Sequence, residues 1–585
     1  MNGYKKDYHL DEKFIFYRDL REMLKQCARD YGEKTAFITK VKGPGKEVSY
    51  RHTSYTDLYG EMVRLGTALI HRGYQGARLA VVGKNSYPWV LAYITCACGV
   101  GVTVPLDAAL EEEELTSCLI RSGARVVFYD EKHLPMIRSI MASGRTELEA
   151  AVSLDFNNEE DDWSSTIESL LREGDRLVKD GDFSFLHGKI DPEAMSFLLF
   201  TSGTTQRAKA VMLSHRNLMS CNYGMNCEEL FFPDDVNLII LPLHHIYGFS
   251  GLVTFLSQGL TNCFCDGLKY IQKNLIEYQV TVFTSVPLLL ENMYKKIQKG
   301  IDKKGQRQKV EQGLRLAAAA DRVGIDLRKR LFKPIHDEFG GHLRFIINGA
   351  SALDPAVQKG FNELGILTVQ GYGLTETSPT ISSETYRYLR PGSCGKLMPN
   401  VTARIEEPDE NGVGELVVKG GNVMLGYYHD PKATKEVLRE GWFHTGDLAR
   451  FDKDGYLYIS GRQKNVIVMK NGKNVFPEEI ESLINLFPYV SESMVFGRDR
   501  GTDLVLWAKI VADPAYLREE GLTMADVQER LDQDMEKLNE SLPAYKMIKR
   551  YFLSDRPTVK TTTQKTRRTL EMDAIEAEIQ ERGLK

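Results

Sequence analysis

Leu20, Met23, Leu24, Cys27, Ala28 and Tyr31 recur at three- and four-residue intervals, so the chain begins its ordered patterning with one apolar helical face. The run "TAFIT" (35–39) then reads as a strand. Residues 57–72 return to a helical pattern and stop at Gly73, a natural left-handed C-terminal position, before the buried-strand run "RLAVVG" (78–83). The most apolar stretch, "WVLAYITCACGVGVTVPL" (89–106), is broken by Gly99 and Gly101 and stopped by Pro105. A membrane-spanning helix needs about 20 continuous apolar residues, so a buried helix followed by a buried strand is the expectation. Residues 158–162 are acidic and 172–183 polar, and both are expected to be surface connections.

Strands alternating with helices predict a mainly parallel sheet covered by helices. After about residue 460 the texture changes. Pro477 opens an acidic-ended helix, "PEEIESLINLF", strands are expected near 492–497 and 504–511, and Val527, Leu531, Met535 and Leu538 mark one face of a further helix. The fold class expected is therefore α/β: a large N-terminal, multi-subdomain α/β body (1–461) with a small mobile α+β C-terminal domain (462–585). The polar stretch "SGRQKN" (460–465) suits a hinge.

With 585 residues, 42% of them hydrophobic and 26% charged, the chain has the profile of a soluble globular enzyme. A formal net charge of −5 argues against a protein that coats nucleic acid. The opening "MNGYKKDYHLDEKF" has no apolar leader core, and a cytoplasmic location is expected. Nine cysteines, including the C-x-C pairs Cys96/Cys98 and Cys263/Cys265, lack zinc-site spacing and read as free thiols in a reducing compartment.

The strand "MSFLLF" (195–200) runs into Thr201, Ser202, Gly203, Thr204 and Thr205, then Lys209. Hydroxyls and exposed backbone N–H groups suit a polyphosphate, and Gly203 permits close approach. A Walker A loop would need glycine at Ala208 and a magnesium-binding hydroxyl at Ala210; both are missing, which argues against a P-loop NTPase. By itself the stretch fits a phosphate loop and a Thr/Ser-rich hairpin turn equally well.

Two other segments bear on this: "QGYGLTETSP" (370–379) and "GWFHTGDLARFDKDGYLYISGRQKN" (441–465). With the 201–209 loop, in this order, they make the chain resemble the adenylate-forming superfamily of acyl-CoA synthetases, luciferase-like enzymes and peptide-synthetase adenylation domains. The resemblance runs from about residue 30 to 570. It implies that Thr201–Lys209 grips the β- and γ-phosphates of ATP, although Gln206 and Ala210 stand where the family has glycine. It implies that Glu376 binds Mg2+, Thr375 contacts phosphate and Tyr372, between Gly371 and Gly373, lies against adenine. Asn348, Gly349 and Ala350 of "NGAS" would line the same pocket. Asp447 would hold the ribose hydroxyls with help from Arg462, and Lys464 would be the hinge.

The segment "PTVKTTTQKTRRTL" (557–570) resembles the family's terminal motif, whose lysine meets the substrate carboxylate and the α-phosphate. Register matches Lys565, with Lys560 nearby; this chain lacks the family's preceding glycine. "LPLHHIYG" (241–248) resembles the motif whose His245 screens the carboxylate end of the acyl pocket, and adjacent histidines cannot easily share one metal ion. A Lys-rich, helical insert at 295–335 resembles long-chain acyl-CoA synthetases most. The implied reaction is ATP-dependent activation of a carboxylic acid, a medium- or long-chain fatty acid, to acyl-AMP, then transfer to the thiol of coenzyme A. An acyl-carrier-protein synthetase and an aryl-acid CoA ligase are the alternatives. Expected partners are the acid, ATP and coenzyme A, with an acyl carrier protein and peripheral membrane contact also open, and no nucleic acid or transmembrane segment.

Overall fold

The structure, a computed structural model, describes residues 15–42, 47–155, 163–201, 208–470, 473–499, 504–560 and 566–584. They divide into two compact units. One takes in 15–201, 209–403 and 418–443; the other takes in Ala208, 404–417 and 444–584. The α/β class expected from the sequence is what the chain adopts.

The first unit is built on two large sheets. The nine-stranded sheet runs, edge to edge, Lys396–Leu397, Thr380–Ser383, Leu367–Gly373, Phe345–Asn348, Val282–Ser285, Val236–Ile239, Thr261–Phe264, Thr35–Lys42 and Val48–Ser54. Its interior pairs are parallel and its edges antiparallel. The eight-stranded sheet runs Gly426–Tyr427, Lys209–Ser214, Met195–Thr201, Val102–Leu106, Arg78–Val82, Val126–Tyr129, Ala150–Ser153 and Ser164–Thr166. It is parallel from Met195–Thr201 onward and antiparallel at the other end. Parallel strands need long crossovers that cover both faces, which is why Leu79–Val82 and Val126–Tyr129 are wholly buried.

The helix Leu20–Tyr31 starts where the Asp19 carboxylate accepts from Glu22 N–H, and it buries Leu20, Met23, Leu24 and Cys27. The helix expected from 57 begins at Tyr55, because Ser54 and Asp57 form a capping box. The apolar 89–106 stretch is the helix Tyr87–Thr95, a π-turn Cys96–Val100 and the strand Val102–Leu106. The polar run 172–183 is not simply a connection. Most of it belongs to the amphipathic helix Ile167–Lys179, which buries Ile167, Leu170 and Gly174. A Cβ on Gly174 would lie 1.9 Å from Arg64 O, so this glycine lets two helices pack backbone to backbone. Residues 158–162 lie outside the described residues. The 295–335 insert is helical, in Pro287–Lys303, Arg307–Arg322, Arg328–Leu331 and Lys333–Glu338.

The second unit holds a three-stranded sheet of Val490–Asp499, Leu504–Ala512 and Ile548–Ser554, antiparallel then parallel. The helices Pro477–Ile484, Met524–Ser541 and Arg568–Glu581 belong to the same unit. As expected, Val527, Leu531, Met535 and Leu538 are the buried face of Met524–Ser541. All nine cysteines are free thiols; seven, including Cys96, Cys98 and Cys263, are buried. Among the described residues no helix is long and apolar enough to cross a membrane.

Candidate active site

The phosphate-loop candidate is anchored by a β-hairpin. Thr201 pairs opposite Lys209, and the Thr201 hydroxyl donates to Lys209 O at 3.3 Å. Ser202, Gly203, Thr204, Thr205 and Gln206 lie outside the described residues. Ala210, where the family has glycine, is a buried strand residue opposite Phe200 whose carbonyl accepts from Tyr428 N–H at 2.8 Å. Strand backbone is open to any L-residue, so alanine costs nothing there.

Glu376 sits in the short 3₁₀ turn Thr375–Thr377 at the end of the strand Leu367–Gly373. The turn is pinned from both sides: Asn422 Nδ2 donates to Thr377 O (3.0 Å) and Thr380 O (2.9 Å), and Met424 N–H donates to Glu376 O (2.8 Å). The Tyr427 hydroxyl donates to Glu376 Oε1 at 2.9 Å. The other Glu376 oxygen accepts nothing among the described residues. Lys209 Nζ lies 4.4 Å from the centroid of the same Tyr427 ring, within cation–π range. Tyr427 is held by strand pairing with Val211. One buried tyrosine thus brings together a carboxylate and an ammonium 167 residues apart, as their numbers in the sequence read. Tyr427 and Asn422 are missing from the sequence reading. The "GNVMLGYY" run (421–428) that carries them looks like ordinary strand sequence.

The strand Phe345–Asn348 lies beside Leu367–Gly373, with Asn348 opposite Gln370, so "NGAS" and "GYG" end side by side. Asn348 is fully buried, and both its side-chain polar atoms lack a hydrogen-bond partner among the described residues. An orphaned buried amide of this kind fits a polar ligand group. Gly349 permits the Tyr247 ring to close in: a Cβ there would lie 2.8 Å from Tyr247 Cζ. The Tyr247 hydroxyl donates to Ser285 O (3.2 Å) and Ile347 O (3.1 Å). Ala350 takes a left-handed φ of 73°, backbone strain of the sort that clusters at ligand sites. Tyr372, between Gly371 and Gly373, is half-buried opposite Ser382.

His245 is the N-cap of the helix Ile246–Ser257, its ring 4.3 Å from that of His244, which faces Asp107 at 3.4 Å. Behind this helix lies a cavity of about 20 Å³ lined by Met225, Phe231, Tyr247, Thr254, Phe255 and Ile347, among others. Glu229 is nearby. Ser383 Oγ donates to Glu229 Oε1 at 2.9 Å, and burial pushes the Glu229 carboxyl up to about 8. Burial also raises Glu384 to about 7, although it accepts from Gln370 N–H (3.0 Å) and Arg390 N–H (2.6 Å).

The second unit holds the remaining candidates. Gly446, with φ 66°, makes the turn in "HTGD". Glu415 shapes that turn, since Oε1 accepts from Gly446 N–H (3.1 Å) and Oε2 faces His444 Nδ1 (3.0 Å). Asp447 emerges buried, paired across the ladder with Arg462, whose Nε lies 2.8 Å from Asp447 Oδ1. Lys464 is exposed in the 3₁₀ turn Gln463–Asn465. Lys560 Nζ is engaged with Glu492 at 2.6 Å. Lys560 also forms an antiparallel bridge to Thr566. Lys565 lies between them, outside the described residues. Lys509 is buried against Glu571 (2.9 Å) and Glu578 (3.3 Å), and the other Glu571 oxygen accepts from Val559 N–H at 2.6 Å.

Residues 24–428 match the family described as AMP-binding enzyme, and residues 464–582 match the AMP-binding enzyme C-terminal domain. The chain belongs to the AMP-binding enzyme family. Among AMP-binding relatives it is 26% identical to peroxisomal long chain acyl-CoA synthetase 6 of Arabidopsis thaliana, over 90% of this chain and 78% of that protein. It is 28% identical to long-chain-fatty-acid–CoA ligase 5 of Mus musculus, over 88% of this chain and 80% of that protein. Its fold matches ATP-bound MatB of Rhodopseudomonas palustris, with a TM-score of 0.71, 26% identity, and 95% and 98% of the two chains covered. The anthranilate CoA ligase AuaEII shares the fold at a TM-score of 0.75 and 20% identity, with 97% and 99% covered.

Proposed function

We propose that this AMP-binding enzyme is an AMP-forming acid–thiol ligase, an acyl-CoA synthetase for medium- or long-chain fatty acids. The observation that carries it is the convergence of Lys209 and the open Glu376 carboxylate on Tyr427. They meet beside the C-terminal ends of sheet strands, where α/β folds commonly bind ligands. The long-chain relatives support a fatty acid as the substrate.

In the first step a carboxylate oxygen of the acid attacks the α-phosphorus of ATP. An acyl–phosphate bond forms, the bond to the β-phosphate breaks, and pyrophosphate leaves. The Thr201–Lys209 loop holds the leaving phosphates, Asn348 and Tyr372 hold the base, and Thr375 contacts phosphate. Asp447, oriented by Arg462, accepts from the ribose hydroxyls. Lys565 supplies the cation that meets the developing charge; the engagement of Lys560 with Glu492 favours Lys565 for this role. A magnesium ion bound by Glu376 would add positive charge on the phosphates, and a hard carboxylate oxygen suits it. In the second step the thiol of coenzyme A attacks the acyl carbon, a thioester forms and AMP leaves. Between the steps the C-terminal domain, 462–585, turns about Lys464 relative to 1–461.

The test is acid-dependent ATP–pyrophosphate exchange over a graded series of fatty and aromatic acids, followed by thioester assay with coenzyme A and with a phosphopantetheine-bearing carrier protein. Strongest exchange with fatty acids and thioester on coenzyme A is expected. Exchange with no acid would overturn the reading.

A further inference from the structure

Residues 295–335 carry thirteen Lys and Arg against four Asp and Glu, a local net charge of +9 in a chain of net −5. None of the roles proposed above uses this segment. Its first helix, Pro287–Lys303, turns Leu290, Met293, Ile297 and Ile301 into the core. The second, Arg307–Arg322, buries only Ala317 fully, with Val310 and Leu314 packed against the same cluster. Its opposite side is open. Leu316 is 59% exposed and Val323, at the end of the helix, 74%. Lys309, Leu316 and Val323 are spaced by seven residues and so lie along one line of the helix, flanked by Arg315 and Arg322. The turn that follows exposes Ile325 (54%), and the next helix exposes Leu331 (37%) beside Lys329 and Arg330.

The charges on this face are not balanced by their neighbours. Asp302 is paired with Arg307, while Asp321 and Asp326 both face Arg328. Lys309, Arg315, Arg322, Lys329 and Arg330 form no ion pair among the described residues. Exposed aliphatic side chains interleaved with uncompensated cations are the two signals that surface-lying helices present to a membrane interface. The apolar residues enter the acyl boundary and the cations meet lipid phosphates and carboxylates. A nucleic acid or an acidic protein would use the cations but leave Leu316, Val323 and Ile325 in water.

We propose that the face from Lys309 to Leu331 docks the protein onto an anionic phospholipid bilayer. The docking is independent of the acyl-CoA reading, since it is measured without turnover. Each basic residue brought close to an anionic surface strengthens binding about five-fold. Neutralising three is therefore expected to weaken it about 10²-fold.

The experiment sediments the full chain with vesicles of phosphatidylcholine alone or mixed with phosphatidylserine, at low and high salt. Binding to the anionic vesicles that falls with salt is expected, with little binding to phosphatidylcholine. The Arg315→Gln/Arg322→Gln/Lys329→Gln variant should lose about two orders of magnitude in affinity. Leu316→Ser/Val323→Ser should also bind less while keeping every charge. All substituted positions are exposed, so the variants should keep the parent's circular dichroism spectrum and melting temperature, which certifies their folding. A Val323→Trp protein should be quenched by brominated acyl chains on binding. Equal binding to neutral vesicles, unchanged affinity of the triple variant, or no quenching of Val323→Trp would overturn the proposal. So would tighter binding to duplex DNA that ignores Leu316→Ser/Val323→Ser.

Discussion

Replacing Tyr427 by Phe removes one hydrogen bond and leaves the ring under Lys209. The bond lost is a hydroxyl donated to the Glu376 carboxylate at 2.9 Å. Hydrogen bonds to charged groups contribute about 1.5–3 kcal/mol. Glu376 is half-buried, so water replaces part of the lost donor, and the lower half of that range applies. At about 1.4 kcal/mol per factor of ten, kcat/KM for adenylation should fall about 10- to 40-fold. The Lys209 contact with the ring, 4.4 Å to the centroid, survives in Phe and is lost in Ala. Tyr427→Ala should therefore cost a further few-fold, about 0.5–1 kcal/mol. The assay is ATP–pyrophosphate exchange with saturating acid and titrated magnesium. Because the hydroxyl acts through Glu376, the Tyr427→Phe/Glu376→Gln double variant should be little worse than Glu376→Gln alone. A Tyr427→Phe enzyme within two-fold of the parent, or full additivity in the double variant, would refute the reasoning.

Lys565→Ala should lower adenylate formation by about 10² or more, as loss of a transition-state cation does, while thioester formation from supplied acyl-AMP persists; equal loss of both half-reactions would remove Lys565 from the role. Lys464→Pro should slow the complete reaction while leaving pyrophosphate exchange near normal, since a hinge matters between the steps; unimpaired overall turnover would count against a hinge there. Burial raises the Glu229 carboxyl to about 8, so between its unfolded value of about 4.3 and about pH 8 the native state binds a proton that the unfolded chain releases. That stability is fully present below the unfolded pKa and is lost as pH rises through the window. Thermal melts should decline from about pH 5 to about pH 8, and Glu229→Gln should flatten the decline; an unchanged slope would contradict it. Lys509→Met leaves the buried Glu571 without its cation, while Glu578 keeps Arg582 at 2.8 Å, and should cost about 3–5 kcal/mol in chemical denaturation; a loss under about 1 kcal/mol would show that Glu571 is not held by Lys509.

Local periodicity was enough for the helix beginning at Leu20, the strand at 78–83 and the buried face Val527–Leu538, because each pattern records which side of one element meets the core. Ordered motifs were enough for the adenylate-forming class, since each motif is contiguous in the chain. The polar run 172–183 was legible too, had it been joined to the apolar residues before it: Ile167, Leu170, Leu171, Leu177 and Val178 repeat at helical spacing in Ile167–Lys179, while the close backbone approach at Gly174 shows only in the packing. Tertiary structure alone decided that Tyr427 joins Lys209 to Glu376, that Asn422 pins the Glu376 turn, and that Glu229 and Glu384 are buried carboxyls. The hydrophobic pattern says that a face is covered but not by what. Strand order, sheet register and the partner of a buried polar group depend on segments hundreds of residues apart, and they are settled only when the whole core packs.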